Sequence, residues 1–333
     1  MAARIKQVFL EAASANIAFA EGRILSSRAV VAVQSQRSLP ERETKAAVRW
    51  WLDGTAAPFP FELRAASLTA FSPSGKHMLV VRNDVKVPVG GSGEPQQFVE
   101  LWSQSRFVVA IPTAGKHGKI NAKNAVFDSI TWNKAENKVI YTAEATPVEG
   151  VTHFDEAKAA QVPGAKYDAK FGWGEQLYKS VAPRLFLLDL DTKAITQLFD
   201  KADALADASL GQAVFTPDES AVVLTAYRND PTSRLGITYC WNRHSAIYKA
   251  TLGDVSVVTR LSEDNVFARS PGFSPAGDRL VWLQSKVGGP HIGGTKLVQL
   301  NWHAGVASVE TVIDVSCKAM NEAVSCVTSF LFR

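Results

Sequence analysis

The chain has 333 residues, of which 46% are hydrophobic and 20% are charged, a balance that excludes a disordered protein. Its formal charge of +4 is spread along the sequence without a Lys/Arg-rich run, so we expect neither a nucleic-acid partner nor a membrane partner. The N-terminus lacks the apolar run of a signal peptide, and no stretch reaches the roughly 18 apolar residues that cross a bilayer. These features predict a cytoplasmic protein.

The metal-binding residue types are scattered. Three cysteines are an odd number without a C-x-x-C spacing, so the sequence predicts neither a disulfide framework nor a zinc site, and Cys240 is expected to be a buried, inert thiol. No two of the six histidines have the i,i+2 or i,i+4 spacing that would hold a metal. We therefore predict no metal site and no cofactor.

The N-terminal residues have helical spacing. Apolar residues between Arg4 and Ala15 recur every three or four positions, which predicts a short helix within residues 1–20. From Gly22 onward the pattern changes to β-strand, and a first, degenerate four-stranded unit is expected at about residues 24–63.

A turn phrase then recurs. Ser72-Pro73-Ser74-Gly75 separates two apolar runs and has proline and glycine where a type I turn favours them. The phrase returns at Ser274–Gly277, and in weaker form at Asn133–Glu136 and Thr216–Glu219. Two further β-rich runs follow each copy, which makes four short antiparallel strands. Such a sheet cannot cover both of its faces alone, so it needs similar sheets stacked on it, as in the blades of a β-propeller.

The predicted fold is therefore all-β, an incomplete β-propeller of about five four-stranded blades preceded by a short helix. The expected blades lie at about residues 24–63, 64–113, 125–199, 211–262 and 268–315, and residues 316–333 form a divergent tail. A long insertion at 146–182 interrupts the third blade and is expected to lie on the surface.

Two segments are more specific than the turn phrase. One is Phe171-Gly172-Trp173-Gly174-Glu175-Gln176-Leu177, followed by the strand that starts at Pro183. The other runs from Arg234 to Tyr248 and contains Cys240-Trp241-Asn242-Arg243. Together they resemble the N-terminal propeller of the acylaminoacyl-peptidases (acylamino-acid-releasing enzymes, acylpeptide hydrolases), members of the prolyl oligopeptidase family of serine peptidases. The resemblance covers residues 65 to 300, is weak before them, and is not seen after about residue 315.

The resemblance implies a two-domain enzyme in which a seven- or eight-bladed propeller covers an α/β-hydrolase domain. Such an enzyme releases N-acylated amino acids from short blocked peptides by acyl transfer to a serine. The family is cytosolic and usually homo-oligomeric. Its propeller acts as a size filter, which admits peptides and excludes folded proteins.

The catalytic motif of that family does not occur in this sequence. An α/β-hydrolase needs a nucleophilic serine in a G-x-S-x-G turn, and the nearest match, Gly90-Gly91-Ser92-Gly93-Glu94, lacks the final glycine. We therefore expect the α/β-hydrolase domain to be absent from this chain, the chain to be inactive alone, and no residue to be catalytic. A free-standing propeller that binds other proteins, or a truncated gene product, remains open as an alternative.

Five residues are candidates for a structural or gating role. In the structural interpretation, Trp173 fixes the long insertion to a blade and Glu175 pairs with Arg234 or Arg243. In the functional one, the insertion lines the entrance between propeller and hydrolase, or forms a subunit contact. The candidates are Trp173, Glu175, Arg234, Asn242 and Arg243.

Overall fold

The computed structural model describes residues 17–26, 28–38, 43–56, 61–63, 66–85, 96–103, 106–121, 126–145, 183–229, 237, 240–253, 257–291, 293–303 and 309–314. Almost all regular structure in these residues is antiparallel β-sheet. The chain divides into two compact units, the first comprising Met1–Pro112 with Ser316–Arg333 and the second comprising Thr113–Val315.

The first unit contains two sheets. The first sheet consists of β1 (Ile17–Ser26), β2 (Ala29–Ser38), β3 (Glu43–Leu52), β4 (Thr55–Ala56) and β5 (Phe61–Glu62). Both short strands β4 and β5 pair with β3, so together they occupy a fourth strand position. The second sheet consists of β6 (Ala66–Phe71), β7 (His77–Val85), β8 (Gln96–Ser103) and β9 (Arg106–Pro112). The two sheets share a core that includes Val31, Val48, Phe71 and Val80.

Strand β1 begins earlier than the sequence analysis expected. The predicted helix was assigned to residues 1–20, but Ile17 already starts the strand, and residues 1–16 lie outside the described part of the chain. Ile17 and Phe19 alternate with alanines, which is the period of a strand. The apolar spacing that predicted the helix lies between residues 4 and 15, and residues 17–19, to which the predicted helix was extended, pair with β2 instead.

The second unit contains three sheets and one short helix. The third sheet consists of β10 (Ile130–Trp132), β11 (Lys138–Glu144), β12 (Pro183–Asp189) and β13 (Ile195–Gln197), and helix α1 (Asp203–Ala206) follows it. The fourth consists of β14 (Ala208–Phe215), β15 (Ala221–Arg228), β16 (Ser245–Thr251) and β17 (Val258–Arg260). The fifth consists of β18 (Val266–Phe273), β19 (Arg279–Lys286), β20 (Thr295–Asn301) and β21 (Glu310–Ile313).

Within each of these sheets the strands lie in sequence order, and every pairing is antiparallel. A single parallel residue pair, Ser245 with Phe267, joins the fourth sheet to the fifth. The described residues thus confirm the prediction of five four-stranded blades.

The fourth sheet is covered on both faces. Val222 and Leu224 on one face of β15 pack in a core with Ile140 and Leu185 of the third sheet. Val223, on the opposite face, packs in a second core that includes Trp282 of the fifth sheet. Because successive side chains of a strand point to opposite faces, a strand between two cores must be apolar throughout. This explains why seven consecutive residues of β15 are buried.

The recurring turn phrase has one conformation in all four copies. The side-chain oxygen of its first residue accepts a hydrogen bond from the backbone N–H of the fifth residue after it, at 2.8–3.1 Å. The fourth turn residue has a positive φ of 56–75°. The first residues are Ser72, Asn133, Thr216 and Ser274, and the fourth residues are Gly75, Glu136, Glu219 and Gly277.

These turns also connect the sheets of the second unit. The carboxylate of Glu219 accepts hydrogen bonds from the side-chain amide of Asn133, at 3.0 Å, and from the backbone N–H of Lys134. A Cβ atom at Gly277 would lie 2.9 Å from the ring of Pro217, so the turns of the fourth and fifth sheets are in close contact. The turn edge of the second unit is therefore packed tightly across all three sheets.

Candidate functional site

The edge opposite the turns carries the loops that join the second and third strands of each sheet, because each antiparallel strand leads from one edge to the other. In the fourth sheet the described residues of this connection next to β16 are 240–244, which include Asn242 and Arg243. In the fifth sheet the described residues are 287–291, 293 and 294. We refer to these two segments as the loop edge.

Asn242 joins the two loops. The backbone N–H of Gly288 donates a hydrogen bond to the Asn242 carbonyl at 3.0 Å, and the Asn242 side-chain amide donates to the Gly289 carbonyl at 2.8 Å. The neighbouring N–H of Trp241 donates to the His291 carbonyl at 2.8 Å. Asn242 is only 7% exposed, so these bonds are shielded from water. The loop edge is thus held by backbone and side-chain bonds between adjacent sheets.

Cys240 belongs to the same contact. Its sulfur lies 3.0 Å from Nδ1 of His291, and the residue is half-buried rather than buried as the sequence analysis expected. The reason is that the loop turns away from the sheet before Ser245, so residue 240 does not lie in a strand. The expectation of a buried thiol was therefore wrong, and the contact with His291 adds a side-chain link between the loops.

A buried arginine lies beneath the loop edge. The guanidinium carbon of Arg269 lies 4.4 Å from the ring centroid of Trp241, and Arg269 is 4% exposed. Burial lowers the pKa of Arg269, and the opposing effect of Tyr227 is smaller. Tyr227 packs with Phe127 and Phe267 in an aromatic cluster, and burial raises its pKa. The cation–π contact partly replaces the water that Arg269 loses.

Gln212 in β14 connects residues of the fourth and fifth sheets with Ser129, just before the third sheet. Its Oε1 accepts hydrogen bonds from the Tyr227 hydroxyl at 2.8 Å, the Thr225 hydroxyl at 3.2 Å and the Ser270 N–H at 2.9 Å. Its Nε2 donates to the Ser270 hydroxyl at 3.3 Å, and its backbone N–H donates to the Ser129 hydroxyl at 3.0 Å.

Gln212 and Ser270 lie at matching β-bulges and have φ values of 50° and 56°. A bulge interrupts the strand ladder and leaves backbone groups to be satisfied by other partners. The Gln212 side chain supplies such a partner to the next sheet.

His117 and Tyr141 form a buried polar pair beside the third sheet. Nδ1 of His117 donates to the Gly118 carbonyl at 2.7 Å, and Nε2 accepts from the Tyr141 hydroxyl at 2.7 Å. Burial lowers the pKa of His117, and the hydrogen bond to Gly118 opposes this more weakly. Because a carbonyl can only accept, Nδ1 carries a proton, and burial favours the neutral imidazole in which Nε2 is the acceptor. The site therefore holds His117 in place rather than preparing it to exchange protons.

The predicted site residues are placed as follows. Asn242 and Arg243 lie side by side in the loop edge, with Asn242 buried and Arg243 half-buried. Trp173, Glu175 and Arg234 lie outside the described residues, so the pairing of Glu175 with an arginine stays a prediction.

The sequence analysis did not identify Gln212, Arg269 or His291 as important. A signal for Gln212 was present: in each sheet of the second unit, a polar residue stands four positions before the recurring turn. These residues are Ser129, Gln212 and Ser270. Arg269 and His291 have no comparable signal, because their partners come from other sheets.

Two properties of the described residues bear on the kind of site. The described residues contain no group of three or more His, Cys, Asp or Glu side chains that could hold a metal ion. Within the same residues, no helix is long and apolar enough to span a membrane.

Stacked four-stranded sheets joined by polar contacts at both edges define the blades of a β-propeller domain. Solved acylaminoacyl peptidases have the same fold. The orthorhombic form of the Pyrococcus horikoshii enzyme gives a TM-score of 0.53 at 12% identity, covering 90% of this chain and 40% of that one. An acylaminoacyl peptidase in complex with Z-Gly-Gly-Phe-chloromethyl ketone gives a TM-score of 0.52 at 12% identity, covering 87% and 39%.

The family model "Acylamino-acid-releasing enzyme, N-terminal domain" matches residues 12–326, and the chain belongs to this family. The acylamino-acid-releasing enzyme of Rattus norvegicus is 29% identical over 320 residues, which covers 87% of this chain and 42% of the relative. The Homo sapiens enzyme is 29% identical over 317 residues, which covers 86% and 42%. Enzyme 1 of Oryza sativa subsp. japonica is 25% identical over 300 residues, which covers 78% and 37%.

The chain therefore spans about two fifths of the length of the curated relatives that it matches. The family match also corrects one expectation. The resemblance was placed at residues 65–300, whereas the family model extends from residue 12 to residue 326. The first blade diverges in its turn phrase, which is why motifs alone did not reveal the relation there.

Proposed function

We propose that this chain is the substrate-gating propeller of an acylamino-acid-releasing enzyme, a serine hydrolase that releases N-acylated amino acids from short blocked peptides. Membership in the N-terminal domain family supports this proposal most directly. The serine nucleophile would belong to a hydrolase domain, because no G-x-S-x-G occurs in these 333 residues. In this proposal the propeller admits short peptides and excludes folded proteins.

The contacts between sheets support a gating role. A size filter needs walls that keep their spacing, and polar contacts join neighbouring sheets at both edges of the second unit. Glu219 bonds the third and fourth sheets at the turn edge. Asn242 bonds the fourth and fifth sheets at the loop edge. In our proposal Asn242 and the adjacent Arg243 hold the loop edge in its open shape.

The setting of the proposed enzyme follows from the same family. We propose that the whole enzyme acts in the cytoplasm, that its partners are N-acylated peptides, and that it assembles as a homo-oligomer. Neither a nucleic acid nor a membrane has a place in this proposal.

The test is a chimaera in which this chain replaces the matched segment of the human relative. We expect the chimaera to hydrolyse a short acetylated peptide while it leaves a folded protein with an acetylated N-terminus uncut. The hydrolase segment without any propeller, and the unaltered human enzyme, are the two controls. If the ratio of the two rates in the chimaera equals that of the hydrolase segment alone, the gating proposal fails.

A further inference from the structure

A groove of about 420 Å³ opens on the fourth sheet, at the same edge as the loops. Its floor consists of small buried side chains, namely Ala208, Ala226, Ser245 and Ala246. Ala226 and Ala246 are direct partners across β15 and β16, whereas the next pair on the same face is Leu224 with Tyr248. The groove exists because small residues replace large ones at this end of the sheet. Its volume falls in the range of small-ligand sites, about 300–1,000 Å³.

One wall of the groove is helix α1, which an arginine fixes in place. The Arg184 guanidinium, from the third sheet, donates to the carbonyls of Ala206 at 2.9 Å, Leu205 at 3.5 Å and Ala208. These bonds satisfy backbone carbonyls at the end of the helix. Leu205 is 1% exposed and anchors the helix in the core. This wall is therefore set before any ligand arrives.

The opposite wall, residues 261–265, is fixed in a similar way. The guanidinium of Arg260 forms an ion pair with Asp264 at 2.6 Å and donates to the Ser262 carbonyl at 3.1 Å. Arg260 and Asp264 themselves line the groove, and their ion pair and the Arg184 bonds on the helix wall form without a ligand. The groove is therefore preformed, as small-molecule sites usually are.

The rim carries both signs of charge. Asp203 and Asp207 lie on the helix wall, whereas Arg228 and His244 lie at the adjoining ends of β15 and β16. In the part of the chain that the structure describes, these four side chains form no hydrogen bond or ion pair with one another. Opposite charges that line one cavity without neutralising each other can act on the two ends of one ligand.

We propose that this groove binds a small dipolar molecule, with its ammonium group against Asp203 and Asp207 and its carboxylate against Arg228 and His244. Free amino acids and short peptides with unblocked ends share this chemistry. The site is separate from the proposed gating role, because it requires neither hydrolysis nor a hydrolase domain. Its failure would therefore leave the proposed function untouched.

The experiment titrates the 333-residue chain by calorimetry with L-alanine, L-alanyl-L-alanine, N-acetyl-L-alanyl-L-alanine and L-alanyl-L-alanine amide. L-alanine and L-alanyl-L-alanine are the two dipolar probes, and we expect saturable binding of at least one of them. The one that binds more tightly shows whether the natural ligand is a free amino acid or a peptide. Blocking either end should weaken dipeptide binding by at least about fivefold, because each end loses an ion pair.

Two variants test the location. Arg228→Gln and Asp207→Asn each remove one rim charge and should each weaken binding by about fivefold. Lys134→Gln, which removes an exposed charge at the turn edge, is the matched control and should leave binding unchanged. The proposal is overturned if neither dipolar probe binds, if the blocked peptides bind as well as the free one, or if both rim variants bind like the parent chain while melting at its temperature.

Discussion

Gln212 is a half-buried residue whose two amide atoms bond two strands, β15 and β18, in adjacent sheets, while its backbone N–H donates to Ser129, just before the third sheet. Removal of the amide would leave the Tyr227 hydroxyl, which is fully buried, without its acceptor. An unsatisfied buried polar group costs about 1–3 kcal/mol. The contribution of Gln212 to the free energy of unfolding therefore includes the cost of leaving its buried partners without a hydrogen bond.

We predict that Gln212→Ala lowers the free energy of unfolding by about 2–4 kcal/mol, because several hydrogen bonds disappear together. Urea titration monitored by circular dichroism measures this change. Gln299→Ala, which removes an amide that bonds Glu310 at the outer strands of the fifth sheet, should cost less than about 1 kcal/mol. Equal losses in the two variants would show that Gln212 does not connect the sheets.

His117 gives a prediction about pH. Burial lowers its pKa below the usual value of 6.5, so the unfolded chain takes up this proton before the folded chain does. The stability that His117 contributes is therefore complete above pH 6.5 and is lost as the pH falls from 6.5 towards the lower folded value. We expect His117→Gln to flatten this part of the stability profile, measured from about pH 8 to about pH 5.

The control for this profile is His303→Gln, since His303 is exposed. That variant should keep the decline below pH 6.5. A parent profile without any decline in this interval would contradict a neutral, buried His117.

At the scale of the element, the recurring turn sets the distance between neighbouring sheets. Gly277 has a φ of 75°, and a Cβ atom there would lie 2.9 Å from two ring atoms of Pro217. We predict that Gly277→Ala costs about 2–4 kcal/mol, from left-handed strain and from displacement of the neighbouring turn. Thermal and urea unfolding measure the loss.

Gly253→Ala separates the cost of left-handed strain from the cost of displacing the neighbouring turn. Gly253 has a φ of 85°, and a Cβ atom there meets nothing within 4 Å, so only the strain of about 1–2 kcal/mol applies. A loss at position 277 no greater than at position 253 would mean that the two turns are not in contact.

The turn phrase also shows what the sequence can predict. A short polar side chain at its first position indicates a local conformation that depends on neighbouring residues. The structure has this conformation in every copy, including the two with glutamate instead of glycine at the fourth position. The start of strand β1 was missed because its first residues were joined to the helical pattern of residues 4–15, whereas its pairing with β2 depends on residues further along the chain. At the loop edge the sequence indicated Asn242 and Arg243 as candidates but not their partners, because the bond from Asn242 to Gly289 joins segments 47 residues apart in sequence.

Across the whole molecule, the sheets of the second unit pack face to face with their neighbours. Seven consecutive residues of β15 are buried because both faces of its sheet are covered by neighbours. The polar groups that this packing encloses, Gln212, His117 and Arg269, hold strands and loops together. None of them is arranged as a nucleophile beside a base. We propose that these 333 residues shape access to chemistry that belongs to a hydrolase domain.

The most direct measurement is the hydrolysis of N-acetyl-L-alanine p-nitroanilide by the purified 333-residue chain, with and without a serine-directed fluorophosphonate. We expect no turnover above the buffer rate and no covalent labelling. Turnover that co-purifies with the chain and is abolished by the fluorophosphonate would contradict it.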